Sequence, residues 1–160
     1  YPEMPLLVHS DLKIVDECLK PIADSLWKNH NISLPKDIEL NKLIYRNVVT
    51  GCTMMFNKKT KEISLPFPPK VRLHDWWIAL NVAKYGKIIS LPAQTVLYRQ
   101  HSGNVIGAKT NKISALFSKK TLTGIRNIID DYNTAKKICR SVNPFTFLIT
   151  NIRLAIARRM

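Results

Sequence analysis

Between Pro66-Phe-Pro-Pro69 and Gly86, one stretch of this 160-residue chain leaves the backbone little choice. Proline lacks an amide donor and holds φ fixed, so Pro66–Pro69 suits neither a helix interior nor a central strand and reads as a link. Beyond it, Trp76, Ala79, Leu80 and Ala83 fall on one stripe at helical spacing, and Gly86 supplies a C-terminal stop. Asp75 stands at the start of that helix, where the helix dipole favours a carboxylate. Strand-like runs lie on both sides. Pro5-Leu-Leu-Val8 is a short apolar run ended by His9-Ser10-Asp11, the pattern of a buried strand delivering a polar residue at its end. A weak helical pattern covers Asp37 to Tyr45. Val48 to Phe56 predicts a strand with a loop or close backbone approach at Gly51. Ile88-Ile-Ser-Leu91 and Thr95-Val-Leu-Tyr98 predict two short strands around Pro92. Strand, helix and strand in this order predict an α/β layer rather than a helical bundle.

The charge is unevenly placed. Lys and Arg number 25 against 11 Asp and Glu, a net charge of +14. Residues 1–80 hold 11 basic and 9 acidic side chains, whereas residues 81–160 hold 14 and 2. That excess points to a polyanionic partner for the second half: nucleic acid, anionic lipid headgroups or a phosphorylated ligand. After about Lys109 the chain reads as helical and basic, with Ile125, Ile128, Ile129, Tyr132, Cys139 and Val142 at helical spacing among Lys136, Lys137 and Arg140. Asn143-Pro144 predicts the cap and first position of a last helix. In it Phe145, Leu148, Ile149, Ile152 and Ile156 form an apolar stripe, and Arg153, Arg158 and Arg159 supply charge. Such a helix either packs on its own domain or lies on a membrane surface. No run reaches the roughly 20 apolar residues that span a bilayer.

Other classes are excluded more simply. A hydrophobic fraction of 46% argues against disorder, and 5 Gly, 9 Pro and no repeat argue against collagen-like and solenoid folds. Cys18, Cys52 and Cys139 are odd in number, widely spaced and without a CxxC pair, so a disulfide framework or thiolate zinc site is not expected, which fits a reducing cytosol. Tyr1-Pro-Glu-Met-Pro5 lacks the basic start and apolar run of a signal peptide, and a chain opening on Tyr1 is expected to be an excised piece.

Four clusters carry side chains fit for chemistry. His9-Ser10-Asp11 is either a site or a strand-end aspartate capping the next turn. In Asn47 to Asn57, small residues flank Gly51 and would let a ligand approach backbone amides, although a buried strand accounts for Met54, Met55 and Phe56. His74-Asp75-Trp76-Trp77 sets two indoles beside an imidazole and a carboxylate; a carbohydrate pocket is one use of such rings and core packing is the other. Tyr98-Arg-Gln-His101 with Ser-Gly-Asn104 is a strand end loaded with donors fit for phosphate, or else an ordinary exposed loop.

Taken in order, Pro5-Leu-Leu-Val-His-Ser-Asp-Leu12 through Val15-Asp16, Gly51-Cys-Thr-Met-Met-Phe-Asn57, His74-Asp-Trp-Trp-Ile-Ala-Leu80, and Tyr98-Arg-Gln-His101 to Asn104-Val-Ile-Gly107 resemble the second half of a bacterial family 2 glycosyltransferase. Within that family the rhamnosyltransferase-like enzymes of surface polysaccharide synthesis are the subgroup suggested. The resemblance runs from about residue 4 to 109 and is looser over 110–160. It implies residues 1–108 as the acceptor-side part of a GT-A mixed sheet with flanking helices, and 109–160 as a basic helical tail. It further implies an inverting transfer from a nucleotide-sugar donor to a hydroxyl of a lipid-linked or saccharide acceptor. Asp75 matches the base position, and His74, Trp76 and Trp77 would shape the sugar pocket. Gly51, Cys52 and Thr53 would line the donor–acceptor junction. Arg99 and His101 match a closing motif whose cationic or metal-binding groups would steady the diphosphate. The place implied is cytoplasmic, at the inner face of the cell membrane, on anionic lipid.

Enzymes of this family carry, before the His-Ser-Asp segment, a nucleotide-binding half ending in an aspartate-rich motif that holds Mn²⁺ or Mg²⁺. Residues 1–10 contain no such motif. His101 is then the one metal ligand the resemblance suggests in this chain, and the chain alone is expected to bind no metal tightly and to be inactive. The rivals are a non-catalytic basic module that binds nucleic acid, or a partner that completes a separate nucleotide-binding subunit. The aromatics are not interleaved with the basic run as in a stacking platform, so nucleic acid is not the expected partner.

Overall fold

A computed structural model describes residues 3–33, 38–101 and 119–157. Four strands, β1 (Leu6–Val15), β2 (Pro21–Ala23), β3 (Met54–Phe56) and β4 (Lys87–Arg99), form one mixed open sheet. β4 runs parallel to β1 along its whole length, from Lys87 opposite Leu6 to Arg99 opposite Val15. The other edge of β1 is shared by β3, antiparallel to Leu7–His9, and β2, antiparallel near Ile14 and Val15. The helices are α1 (Leu26–Asn29), α2 (Leu40–Leu43), α3 (Lys58–Ser64), α4 (His74–Tyr85), α5 (Lys119–Ile138) and α6 (Pro144–Ala157). The chain is therefore α/β, as the alternation of strand and helix patterns predicts. Of the weak helical pattern from Asp37, one turn forms as α2, and Asp37 itself lies outside the described residues.

The expected end of the first strand at His9 is not observed, because the polar residues there find partners inside the sheet. His9 Nε2 meets Ser90 Oγ at 2.9 Å, and Ser10 Oγ meets Thr95 Oγ1. Asp11 Oδ1 accepts the amides of Leu12 and Trp27 at 2.8 and 3.1 Å, while Oδ2 accepts the Ser25 hydroxyl and the Gln94 amide. Asp11 thus anchors the turn into α1 from the interior of a strand, so the capping role anticipated for it is met at a different place. Burial pushes its carboxyl pKa up, but hydrogen bonds from Ser25, Gln94, Leu12 and Trp27 outweigh that and hold it below the ordinary value. The two strands expected around Pro92 are one. Leu91 faces Ser10 and Gln94 faces Asp11, so the ladder slips where proline has no N–H to offer.

His9 gives the fold an acid sensitivity. Its ring is fully buried, lies 5.5 Å from the Trp27 ring, and leaves Nδ1 without a hydrogen-bond partner. Burial lowers its pKa from 6.5 to about 4. Between those values the unfolded chain binds a proton that the folded chain refuses, so stability falls as pH falls, by about 3 kcal/mol at pH 4 relative to pH 8. Urea unfolding at a series of pH values should show this slope, and His9→Gln should flatten it; equal slopes for both proteins would contradict the assignment.

The core is built on α4. From Trp76 to Val82 every residue of that helix is buried, against Leu7, Ile88, Leu43, Ile44 and Val49 on one hand and Ala135, Ile138, Val142 and Phe147 on the other. The helical part expected as a tail beyond residue 108 therefore shares the core of the sheet. A bidentate pair from Arg72 to Asp131 also ties the segment before α4 to α5. Gly86 ends α4 as its position predicts, though not through a left-handed cap, since φ is −154°. A Cβ there would lie 1.9 Å from the carbonyl oxygen of Pro5, which accepts the Lys87 amide at 3.0 Å. The glycine is required by close approach of the α4–β4 junction to the start of β1. Asn143 Oδ1 caps α6 through the amides of Phe145 and Thr146, with Pro144 in the first position.

Candidate functional site

The first turn of α4 and a short 3-10 turn over Gly51–Thr53 meet at the surface, and Asp75 joins them. Its Oδ1 accepts the Asn47 side-chain amide at 3.2 Å and the Trp76 amide at 2.7 Å, and its Oδ2 accepts the Gly51 amide at 3.2 Å. The carboxylate is half-buried, between an exposed His74 and an exposed Cys52. A Cβ on Gly51 would lie 3.3 Å from His74 Nε2 and 3.4 Å from Asp75 Cβ, so the glycine is what lets both side chains close over the turn. Thr53 spends its hydroxyl on the Thr50 carbonyl at 2.9 Å and so fixes the turn itself. Asn47 enters the sequence analysis only as the first residue of the cluster around Gly51, with no role of its own. Its Oδ1 accepts the Val49 amide at 3.0 Å, an Asx-type turn that leaves Nδ2 aimed at Asp75. An Asn immediately before the β-branched run Val48-Val49-Thr50 is the available signal.

Cys52 does not supply a ready thiolate here. Desolvation raises its pKa most, a backbone hydrogen bond works the other way, and the nearby Asp75 charge raises it further. The net shift is upward, so the thiol stays protonated.

Trp76 and Trp77 are placed differently from the expected pocket walls. Their exposures are 4% and 8%, and their indole N–H groups donate to the carbonyls of Leu43 and Ser64 at 2.8 and 2.9 Å. Two indoles in succession are used to seat α4 on two sides, with both polar handles satisfied inside the core. Arg99 is likewise elsewhere. Its guanidinium donates to the Glu17 carbonyl, and it pairs with Val15, whereas Met54, next to the 3-10 turn, pairs with His9. Six strand residues separate those two levels, about 20 Å at 3.3–3.4 Å per residue. Neither Arg99 nor His101 is among the hydrogen-bond partners of Asp75. Asn104 to Gly107 lie outside the described residues.

His101 is exposed just past β4. Among the described residues no three His, Cys, Asp or Glu side chains gather as ligands for a cation. An imidazole does not match the oxygen-rich donor set that Mn²⁺ or Mg²⁺ takes, so the described residues do not fit a metal site. A cleft of about 370 Å³ between Pro69-Lys70 and the α5 residues Asp130, Asn133, Thr134, Lys136 and Lys137 shares no residue with the Asp75 cluster.

Fold and cluster together define a mixed α/β protein with a four-stranded open sheet and a hydrogen-bonded carboxylate at the start of its central helix. No family model matches the chain, and no curated protein or solved structure is significantly similar to it.

Proposed function

We propose that this chain is the acceptor-side part of an inverting sugar transferase of the GT-A type, with Asp75 as the base that takes the proton of the acceptor hydroxyl. The observation that carries the proposal is the count of acceptor positions on Asp75. A carboxylate offers about four lone-pair positions. Two on Oδ1 are taken by Asn47 and Trp76 and one on Oδ2 by Gly51, which leaves one on Oδ2 beside exposed His74 and Cys52. A hydroxyl bound there donates its proton to a fixed base. Its oxygen attacks the anomeric carbon opposite the nucleotide diphosphate, the bond to the diphosphate breaks, Asp75 takes the proton, and the configuration inverts. The raised pKa of Cys52 favours this single displacement over attack by a neighbouring thiolate.

The roles proposed are accordingly narrower than those the resemblance implies. Asp75 is the base, Asn47 and the Gly51 amide orient it, and His74 and Cys52 border the hydroxyl. Trp76 and Trp77 support the helix from within, and no diphosphate contact is assigned to Arg99. The donor is a nucleotide sugar, the acceptor a lipid-linked or saccharide hydroxyl in surface polysaccharide synthesis, and the place the inner face of the cell membrane.

The test uses residues 1–160 joined to the aspartate-rich nucleotide-binding half that family 2 enzymes carry. Proton NMR of the product should show the anomeric configuration opposite to that of the donor; retention would contradict the displacement. The 160-residue chain alone, given Mn²⁺ and a panel of nucleotide sugars, is expected to show no turnover.

A further inference from the structure

We propose that the outward face of α6 seats this protein on an anionic lipid surface. Phe145, Leu148, Ile149 and Ile152 follow the i, i+3, i+4, i+7 spacing of one helical stripe, and they are 75%, 45%, 47% and 47% exposed. A helix that merely completes a soluble core turns such a stripe inward. α6 does the reverse: it is held to the body through Phe147, which is 1% exposed, while Thr150 and Asn151 are half-buried. α6 has 14 residues, about 21 Å at 1.5 Å per residue, and no described helix is long and apolar enough to cross a membrane. Its stripe therefore suits burial along an interface rather than across one.

Charge selects the occupant. Arg140 in the turn before α6 and Arg153 near its end are exposed, and residues 81–160 hold 14 basic against 2 acidic side chains. One of those two acids, Asp131, is spent on Arg72. A second copy of the chain would set +14 against +14. Nucleic acid would neutralise the charge but leave the apolar stripe in water. Anionic lipid satisfies both, with acyl boundary for the stripe and headgroups for the arginines. The proposal deepens the membrane location proposed above by naming the surface that provides it, and because it stands on α6 it is tested separately from the role of Asp75.

The 160-residue chain should co-sediment with vesicles of phosphatidylcholine and phosphatidylglycerol. Pure phosphatidylcholine, or salt raised from about 0.1 to 0.5 M, should weaken the partition by about tenfold or more. Leu148→Ser with Ile152→Ser should lower it by about tenfold or more while the far-UV spectrum and unfolding midpoint stay put, since both side chains are exposed. Independently, the added emission of Ile149→Trp should shift to the blue on anionic vesicles. Failure of the parent chain to bind, equal binding to neutral vesicles, unchanged binding by the double variant, or no emission shift would each overturn the proposal. So would a dimer in light scattering that the double variant abolishes without change in vesicle binding.

Discussion

Phe147→Ala is expected to lower the free energy of unfolding by about 3–5 kcal/mol, the range for emptying a fully buried phenylalanine site. Its ring lies 6.0 Å from that of Tyr45 and 5.6 Å, edge-on, from that of Tyr132, within the cluster that contains Ala135, Ile138 and Val142. No other α6 side chain among the described residues is fully buried, so truncation removes both the packing and the anchor of the helix. Phe147→Leu, which keeps most of the volume, should cost less than about 1.5 kcal/mol. Urea unfolding of the three proteins decides the matter. A loss below about 1 kcal/mol for the alanine variant would mean that α6 is not docked as described. The contrast with Leu148, one residue on and 45% exposed, is informative because the two differ in face and hardly in chemistry.

Much of the fold was legible because it rests on local signals. The stripe from Trp76 to Ala83, the stop at Gly86 and the Asn143-Pro144 cap are short-range features, and α4 ends and α6 begins where those features lie. What was not legible depends on partners distant in sequence. The continuation of β1 through His9-Ser10-Asp11 requires Ser25, Ser90, Gln94 and Thr95, none of which local patterning connects to it. The fusion of two short strands into β4 likewise requires the full length of β1 as a template on which a slip at Pro92 is tolerated. α3 has no clear sequence signal although Asn57 caps it through the Thr60 amide, because its charged sequence carries little apolar periodicity.

The site divides in the same way. His74, Asp75, Gly51, Cys52 and Thr53 belong to two short segments, and the fold brings those segments together. The tryptophans were the ambiguous part. Residue type allows both a sugar platform and a core, and only the positions of the Leu43 and Ser64 carbonyls distinguish the two. Arg99 shows a different limit. Sequence order sets it near a strand end, but which end of the sheet that is depends on the register of β4 against β1.

Asp75→Asn tests the proposed chemistry at its centre. Removal of a general base should lower kcat by about 10²–10⁴-fold in the protein that also carries the nucleotide-binding half. An asparagine keeps the size of the side chain and its acceptor toward Asn47 and Trp76, but its Nδ2 would face the Gly51 amide, donor against donor. A stability cost of about 1–2 kcal/mol is expected for that mismatch, and the unfolding midpoint reports it separately from the rate. A base acts on the acceptor hydroxyl, so affinity for the nucleotide sugar should change by less than about twofold. The decisive measurement is therefore kcat beside the donor Kd for Asp75→Asn. A collapse of kcat with donor Kd unchanged is the expected result, and a loss of donor affinity as large as the loss of rate would make Asp75 a binding residue and contradict its role as the base.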